Sequence, residues 1–107
     1  MRLGADDLGI ALGERATVVQ FSSTFCAPCR ATRHVVGRAV ATTDGVAHVD
    51  LDVADHTDLG ERLGIDVTPT VLVLDATGSV VRRATGVPTL AQVRSALAEA
   101  ASAVSTA

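Results

Sequence analysis

The chain has two cysteines, Cys26 and Cys29, and both stand in one tetrapeptide, Cys26-Ala27-Pro28-Cys29. Two thiols at this spacing can exchange electrons with a disulfide, or they can contribute to a metal site. As a crosslink the pair does little, because a bridge between near neighbours closes almost no loop and removes little chain entropy. A structural zinc site usually takes four ligands, which the cysteine pair with His34, His48 and His56 could in principle provide. An iron–sulfur cluster lacks its four thiolates. Pro28 between the thiols is atypical of a zinc knuckle. Dithiol–disulfide chemistry is the favoured reading, with no metal and no cofactor expected at the site.

That reading depends on the elements around the pair. Thr17-Val18-Val19-Gln20-Phe21 is almost continuously apolar and β-branched, the texture of a strand covered on both faces. Ser22-Ser23-Thr24-Phe25 reads as a polar turn, and a helix is predicted to begin near Cys26, with Pro28 in its first turn, where a missing N–H costs nothing. A helix start carries unpaired N–H groups and partial positive charge, both of which favour a thiolate. Cys26 is therefore expected to be the exposed nucleophile. Cys29, one turn further in, is expected to resolve the mixed disulfide. Arg30 adds a nearby cation.

The remaining elements follow from periodicity. Ala5–Gly13 reads as a short helix. Thr32, Val35, Val36, Ala39 and Val40 form one face of the helix after Cys26, which ends before Asp44-Gly45. Val46–Val53 alternates, with Val49 and Leu51 on one side and His48, Asp50 and Asp52 on the other. Asp55–Leu63 is predicted as a helix capped by Asp55 or Thr57. Thr70–Leu74 is a second buried strand, joined through Ala76–Ser79 to Val80–Thr85. Thr89 is expected to cap a last helix carrying Leu90, Val93, Leu97 and Ala100, and the tail 101–107 to fray. The fold class is α/β: one domain over 1–107, its core about residues 5–100, with a mixed central sheet of about four strands flanked by helices.

Composition narrows the function. The chain has 107 residues, a net charge of −3, and 48% hydrophobic residues. The acidic balance argues against nucleic acid, since phosphate binding needs concentrated Lys and Arg. The only aromatics are Phe21 and Phe25, too few for a base-stacking platform. The acidic residues Asp50, Asp52, Asp55 and Asp58 lack the loop glycine and terminal Glu of a calcium site, so a solvated acidic edge is expected there.

In its ordered motifs the chain resembles the thioredoxin family. The matching segments are Val18-Val19-Gln20-Phe21 leading into Phe25-Cys26-Ala27-Pro28-Cys29-Arg30, then Gly64-Ile65-Asp66-Val67-Thr68-Pro69-Thr70, the hairpin around Gly78, and Gly86. The resemblance implies a redox disulfide between Cys26 and Cys29 and a cis Thr68–Pro69 bond packed beside it. It also implies a substrate strand pairing with Thr68, surrounded by Phe25, Ala27, Pro28, Val67 and Gly86. Departures are equally specific. Phe25 and Ala27 replace the family's usual Trp and Gly. Gln20 stands where a buried Asp commonly assists proton transfer, and His48 stands at a frequent Lys position. His48 is a candidate proton acceptor, with Gln20 a less direct participant. The chain starts close to its first helix, so the family's opening strand is expected to be absent.

The function expected is protein-disulfide reduction, because no His between the cysteines favours the thiolate strongly enough to make an oxidant. Its partners would be disulfide-containing proteins and an upstream electron donor, with the chain a monomer in the cytoplasm. Two alternatives stand beside it. One is a thiol reductase or maturation factor on the outer face of a membrane, held by an anchor ahead of Met1. The other is a binding module with a dormant dithiol.

Overall fold

A computed structural model of the chain describes residues 1–105. Strand β1 (Ala16–Ser22) is buried along its whole length, as its apolar run requires. It pairs in parallel with β2 (Val46–Asp52) and antiparallel with β3 (Thr70–Asp75), which pairs antiparallel with β4 (Val80–Thr85). The strand order is β2-β1-β3-β4, a mixed four-stranded sheet with helices packed on it. The expected α/β class and mixed sheet are the architecture found.

Side-chain alternation divides the sheet into two layers. On one face Val19, Phe21, Val49, Leu51, Leu72 and Leu74 pack with Leu8 of α1 (Ala5–Leu8) and with Leu59 and Leu63 of α3 (Thr57–Leu63). On the other, Ala16, Val18, Val71 and Val73 pack with Val36 and Ala39 of α2 (Ala27–Ala41). The same cluster takes in Val93, Leu97 and Ala100 of α4 (Leu90–Ser105). The buried stripe of α2 is Cys29, Thr32, Val36 and Ala39, so helical spacing itself turns the second cysteine toward the sheet.

Element ends differ from the pattern-based expectations for local reasons. The first helix stops at Leu8 rather than reaching Gly13. Gly9 takes a left-handed φ of 74°, and its N–H closes on Ala5 O. The third helix starts at Thr57 with His56 in the cap position and no side-chain cap. Neither Asp55 nor Thr57 caps it, because residues 52–55 form a turn in which Asp55 N–H bonds Asp52 O. Thr89 does cap the last helix: its Oγ1 accepts Gln92 N–H at 3.1 Å while Gln92 Oε1 accepts Thr89 N–H at 2.9 Å. That helix continues beyond Ala100 to Ser105, so the tail expected to fray is helical that far; residues 106 and 107 lie outside the described residues.

Ahead of β1 the described residues form no strand. Arg2 makes one antiparallel bridge with Ser79, and Leu3 N–H donates to Gly78 O at 2.8 Å. Position 78 must be glycine: its φ is +88°, and a Cβ there would sit 2.0 Å from Leu3 O. The hairpin beside it is held by Asp75, whose Oδ1 accepts from Thr77 N, Thr77 Oγ1 and Ser79 N. Among the described residues no helix is long and apolar enough to cross a membrane.

Candidate active site

Cys26 is the N-cap of α2, in an extended conformation, and its sulfur accepts Cys29 N–H at 3.2 Å. An orphan amide of the helix start thus already points at this sulfur, an arrangement that stabilises negative charge on it. Pro28 occupies the first turn, where its missing donor is not needed. Cys26 and Cys29 are joined as a disulfide with Cα atoms 5.1 Å apart. Cys26 is partly exposed, whereas Cys29 is buried on the sheet side of the helix. Ala27 and Pro28 are exposed beside them. Phe25 takes a left-handed φ of 55°, a costly conformation for an aromatic residue. The residue is 97% exposed next to the outer cysteine.

A second loop closes on the first. Helix α3 ends at Gly64 in the left-handed conformation, and Ile65 N–H returns to Gly60 O at 2.8 Å. Arg83 of β4 reaches across to donate to Leu63 O and, at 2.7 Å, to Gly64 O. A cation there suits the negative end of a helix. The chain then runs through exposed Val67 to Thr68–Pro69, whose peptide bond is cis, and Pro69 is buried. Three bonds fix this segment. Thr70 Oγ1 donates to Val67 O at 2.6 Å, Gly86 N–H donates to Pro69 O at 3.0 Å, and the Ser23 and Thr68 hydroxyls bond each other at 2.8 Å. Ser23 lies between β1 and Cys26, so the last bond links the loop before the dithiol to the loop of Pro69.

Beneath the dithiol a polar cluster runs from the buried Gln20 and Ser22 out to the exposed Asp50 and Arg33. Gln20, fully buried, donates from Nε2 to Cys29 O at 2.9 Å and to Ser22 Oγ at 3.0 Å. Ser22 Oγ donates to Asp50 Oδ1 at 2.6 Å, and Arg33 Nε donates to Asp50 Oδ2 at 2.6 Å. Asp50 is therefore not part of a simply solvated acidic edge: it is bonded to both the central strand and the dithiol helix. Parallel pairing causes this, since it sets Gln20 opposite Asp50 and Val18 opposite His48. His48 consequently lies on the same face. Its Nε2 is buried without a hydrogen-bond partner, and no hydrogen bond joins it to either cysteine among the described residues. Burial pushes the His48 pKa below the usual imidazole value; Asp50 opposes the shift and Arg33 adds to it. Gln20 Oε1 and Thr32 Oγ1 are likewise buried and unpartnered.

None of Ser22, Ser23, Arg33, Asp50 and Arg83 was expected at the site: Ser22 and Ser23 read as turn residues and Asp50 as an acidic edge, whereas Ser22 is the last residue of β1. Period-two spacing gave a partial signal for Asp50 alone, which must share a face with His48. The partners of Arg83 had none. Chemically, the site offers one accessible sulfur at a helix start and a second, buried sulfur within bonding reach. That pair can undergo thiol–disulfide exchange without any added group.

A family model described as Thioredoxin matches residues 8–99. Mitochondrial thioredoxin from Bos taurus is 33% identical over 75 residues, which is 69% of this chain and 45% of that protein. Thioredoxin-2 from Saccharomyces cerevisiae is 27% identical over 66 residues, 62% of this chain and 64% of that one. The match thus spans about half the length of the mitochondrial relative. Among solved structures, chloroplastic thioredoxin z superposes with a TM-score of 0.78 at 22% identity, covering 94% of this chain and 92% of that one. Thioredoxin f from spinach chloroplast gives 0.70 at 27% identity, covering 82% and 78%.

Proposed function

The chain belongs to the thioredoxin family, and on that premise we propose that it reduces disulfides in protein substrates. The observation that carries this reading is the placement of Cys26: a partly exposed sulfur that caps α2, accepts a helix amide and is bonded to a buried partner. In the reduced form the Cys26 thiolate attacks a target disulfide and expels one target thiolate. Cys29 then attacks Cys26, expels the second, and leaves the Cys26–Cys29 disulfide. A dithiol donor upstream restores the reduced pair by the reverse exchange.

Substrate recognition in this proposal is by main chain. Thr68 makes no backbone hydrogen bond among the described residues, and its hydroxyl is engaged with Ser23, so an extended substrate segment can pair with its peptide groups. Phe25, Ala27, Pro28, Val67 and Gly86 surround the pairing site with apolar surface and close-approaching backbone. His48 is proposed as the group that takes up the Cys29 proton. Its neutral form is favoured by burial, which leaves the imidazole able to accept. The Ala27-Pro28 pair between the cysteines contains no His, which favours a reductant over an oxidant; the cytoplasm is the proposed place of work.

Insulin-disulfide reduction tests the reading. The wild-type chain, supplied with dithiothreitol, accelerates the reaction, and Cys26→Ser does not. Cys29→Ser accumulates a mixed disulfide on Cys26. Equal rates for wild type and Cys26→Ser overturn the catalytic role.

A further inference from the structure

The hydrogen bonds beneath the dithiol form a closed ring. It runs from Cys29 O to Gln20 Nε2, from there to Ser22 Oγ, to the Asp50 carboxylate, and through Arg33 back to α2 one turn past Cys29. We infer that Ser22 and Asp50 are positioning residues for Cys29, acting through the Gln20 carboxamide. The inference rests on the exchange reaction proposed above and names the groups that hold its second sulfur in place.

The argument is one of donors and acceptors. The Ser22 hydroxyl gives its single hydrogen to Asp50, so its oxygen is left to accept from Gln20. That requirement fixes which end of the carboxamide faces the helix, and the NH2 group meets Cys29 O. Without Ser22 the amide is held toward the helix by the Cys29 carbonyl alone, one bond in place of two, and its orientation is less tightly fixed. Asp50 keeps the hydroxyl aimed, and Arg33 holds the carboxylate in place. The register explains why these residues can meet: Asp50 lies opposite Gln20, and Ser22 follows two residues later on the same face.

The ring matters most when the internal disulfide is broken. In the mixed disulfide Cys26 is bonded to a target sulfur, and Cys29 has no covalent tether. Resolution then proceeds by attack of the Cys29 thiolate on Cys26 Sγ. The Cys26–Cys29 bond forms, the Cys26–target bond breaks, and the target sulfur leaves with the electron pair and is protonated by water. Such an intramolecular step is sensitive to small displacements of the attacking atom. None of the ring's bonds reaches Cys26 itself; the first attack feels the ring only through the Cys29 amide that caps Cys26 Sγ, and so depends on it less.

A symmetric aromatic disulfide that releases a coloured thiolate at each of the two steps separates them in one stopped-flow trace. With the full chain in its dithiol form, Ser22→Ala is expected to slow the second phase about three- to tenfold, the scale set by losing one buried hydrogen bond. The first phase is expected to stay within about twofold of wild type. Ser22→Thr restores the second phase. Asp50→Asn slows it less than Ser22→Ala, and the double variant is no slower than Ser22→Ala alone, because both act through one amide. A wild-type second phase in Ser22→Ala, equal slowing of both phases, or additive losses in the double variant overturn the inference. Should Ser22→Ala fail to fold, Asp50→Asn decides by the same two-phase measurement, and a wild-type second phase there overturns the inference. A wild-type chain that shows no first phase overturns the exchange reading itself, which keeps the two failures distinct.

Discussion

The two faces of the sheet are built from different materials. The face under α1 and α3 is filled by Leu3, Leu8, Phe21, Leu51, Leu59, Leu63, Leu72 and Leu74, with Val19 and Val49, and it holds the only fully buried aromatic ring. The face under α2 and α4 has Val and Ala in most positions, and it adds Gln20, Thr32 and the half-buried His48. All three buried side-chain polar atoms left unpartnered among the described residues, Gln20 Oε1, Thr32 Oγ1 and His48 Nε2, belong to this second face. Large aliphatic groups remove more apolar area from water per residue. Unpaired polar atoms cost stability. The comparison teaches that the dithiol helix sits on the less stabilised layer, while the opposite layer supplies most of the hydrophobic free energy that holds the strands.

The sharpest way to break that comparison is to truncate one residue on each face. Phe21→Ala, on the α1 and α3 side, is expected to lower the unfolding free energy by about 3–5 kcal/mol. Val36→Ala, at the centre of the α2 interface, is expected to cost roughly 2 kcal/mol, since it deletes less buried apolar volume. Urea unfolding of the oxidised chain measures both with the disulfide held constant. If Val36→Ala proves as costly as Phe21→Ala, the two layers share the burden equally and the asymmetry drawn above is wrong.

How much of this contrast could be read from the chain depended on the range of the interaction. The Cys-x-x-Cys at a strand-to-helix junction was legible because strand texture, turn and Pro28 are all local. The alternation over Val46–Val53 correctly separated Val49 and Leu51 from His48, Asp50 and Asp52. Thr89 with Gln92 is a local capping pattern, and its effect could be anticipated. The ring through Ser22 and Asp50 was not legible: the two lie 28 positions apart, and only the parallel register of β1 on β2 makes them neighbours. Asp50 alone therefore looked like part of an acidic edge. The short first helix was misjudged because Leu8 and Leu12 have helical spacing. Gly9 breaks that spacing by adopting a positive φ, and Leu12 packs against the core from outside the helix. The bonds of Arg83 to α3 depend on tertiary placement alone.

A smaller effect, specific to the α2 layer, comes from pH. Burial lowers the folded pKa of His48 below its ordinary value near 6.5. Between the folded and unfolded values, the unfolded chain binds a proton that the folded chain does not. Stability therefore rises with pH across that window and is fully present above the unfolded value. Acidification below about pH 6.5 should weaken the fold. His48→Gln, which cannot titrate, should flatten this part of the profile. Asp50 and Arg33, the charged groups that face His48, act in opposite senses and leave burial as the deciding cause. Thermal melts of both proteins between pH 5 and 7.5 provide the check; parallel profiles would show that His48 is not the group responsible.

The smallest effects are expected from the surface ion pairs, where two pairs on the α2 and α4 side of the sheet should differ in kind more than in size. Arg82 pairs with Glu99 at 2.7 Å, and both side chains are largely in water, 60% and 45% exposed. Arg33 pairs with Asp50 at 2.6 Å, but Asp50, at 27%, is drawn into the Ser22 bond. An isolated exposed pair gains little, because water and salt screen it and two long side chains must be ordered. Arg82→Ala should change stability by no more than about 0.5 kcal/mol, and raising the salt concentration should erase even that. Arg33→Ala should cost somewhat more, up to about 1 kcal/mol, and retain part of its effect in high salt, because it also loosens the bonded carboxylate. A salt series on the two variants distinguishes the cases. If both effects vanish together, Arg33 is an ordinary surface cation, and the Asp50 carboxylate keeps its place through Ser22 alone.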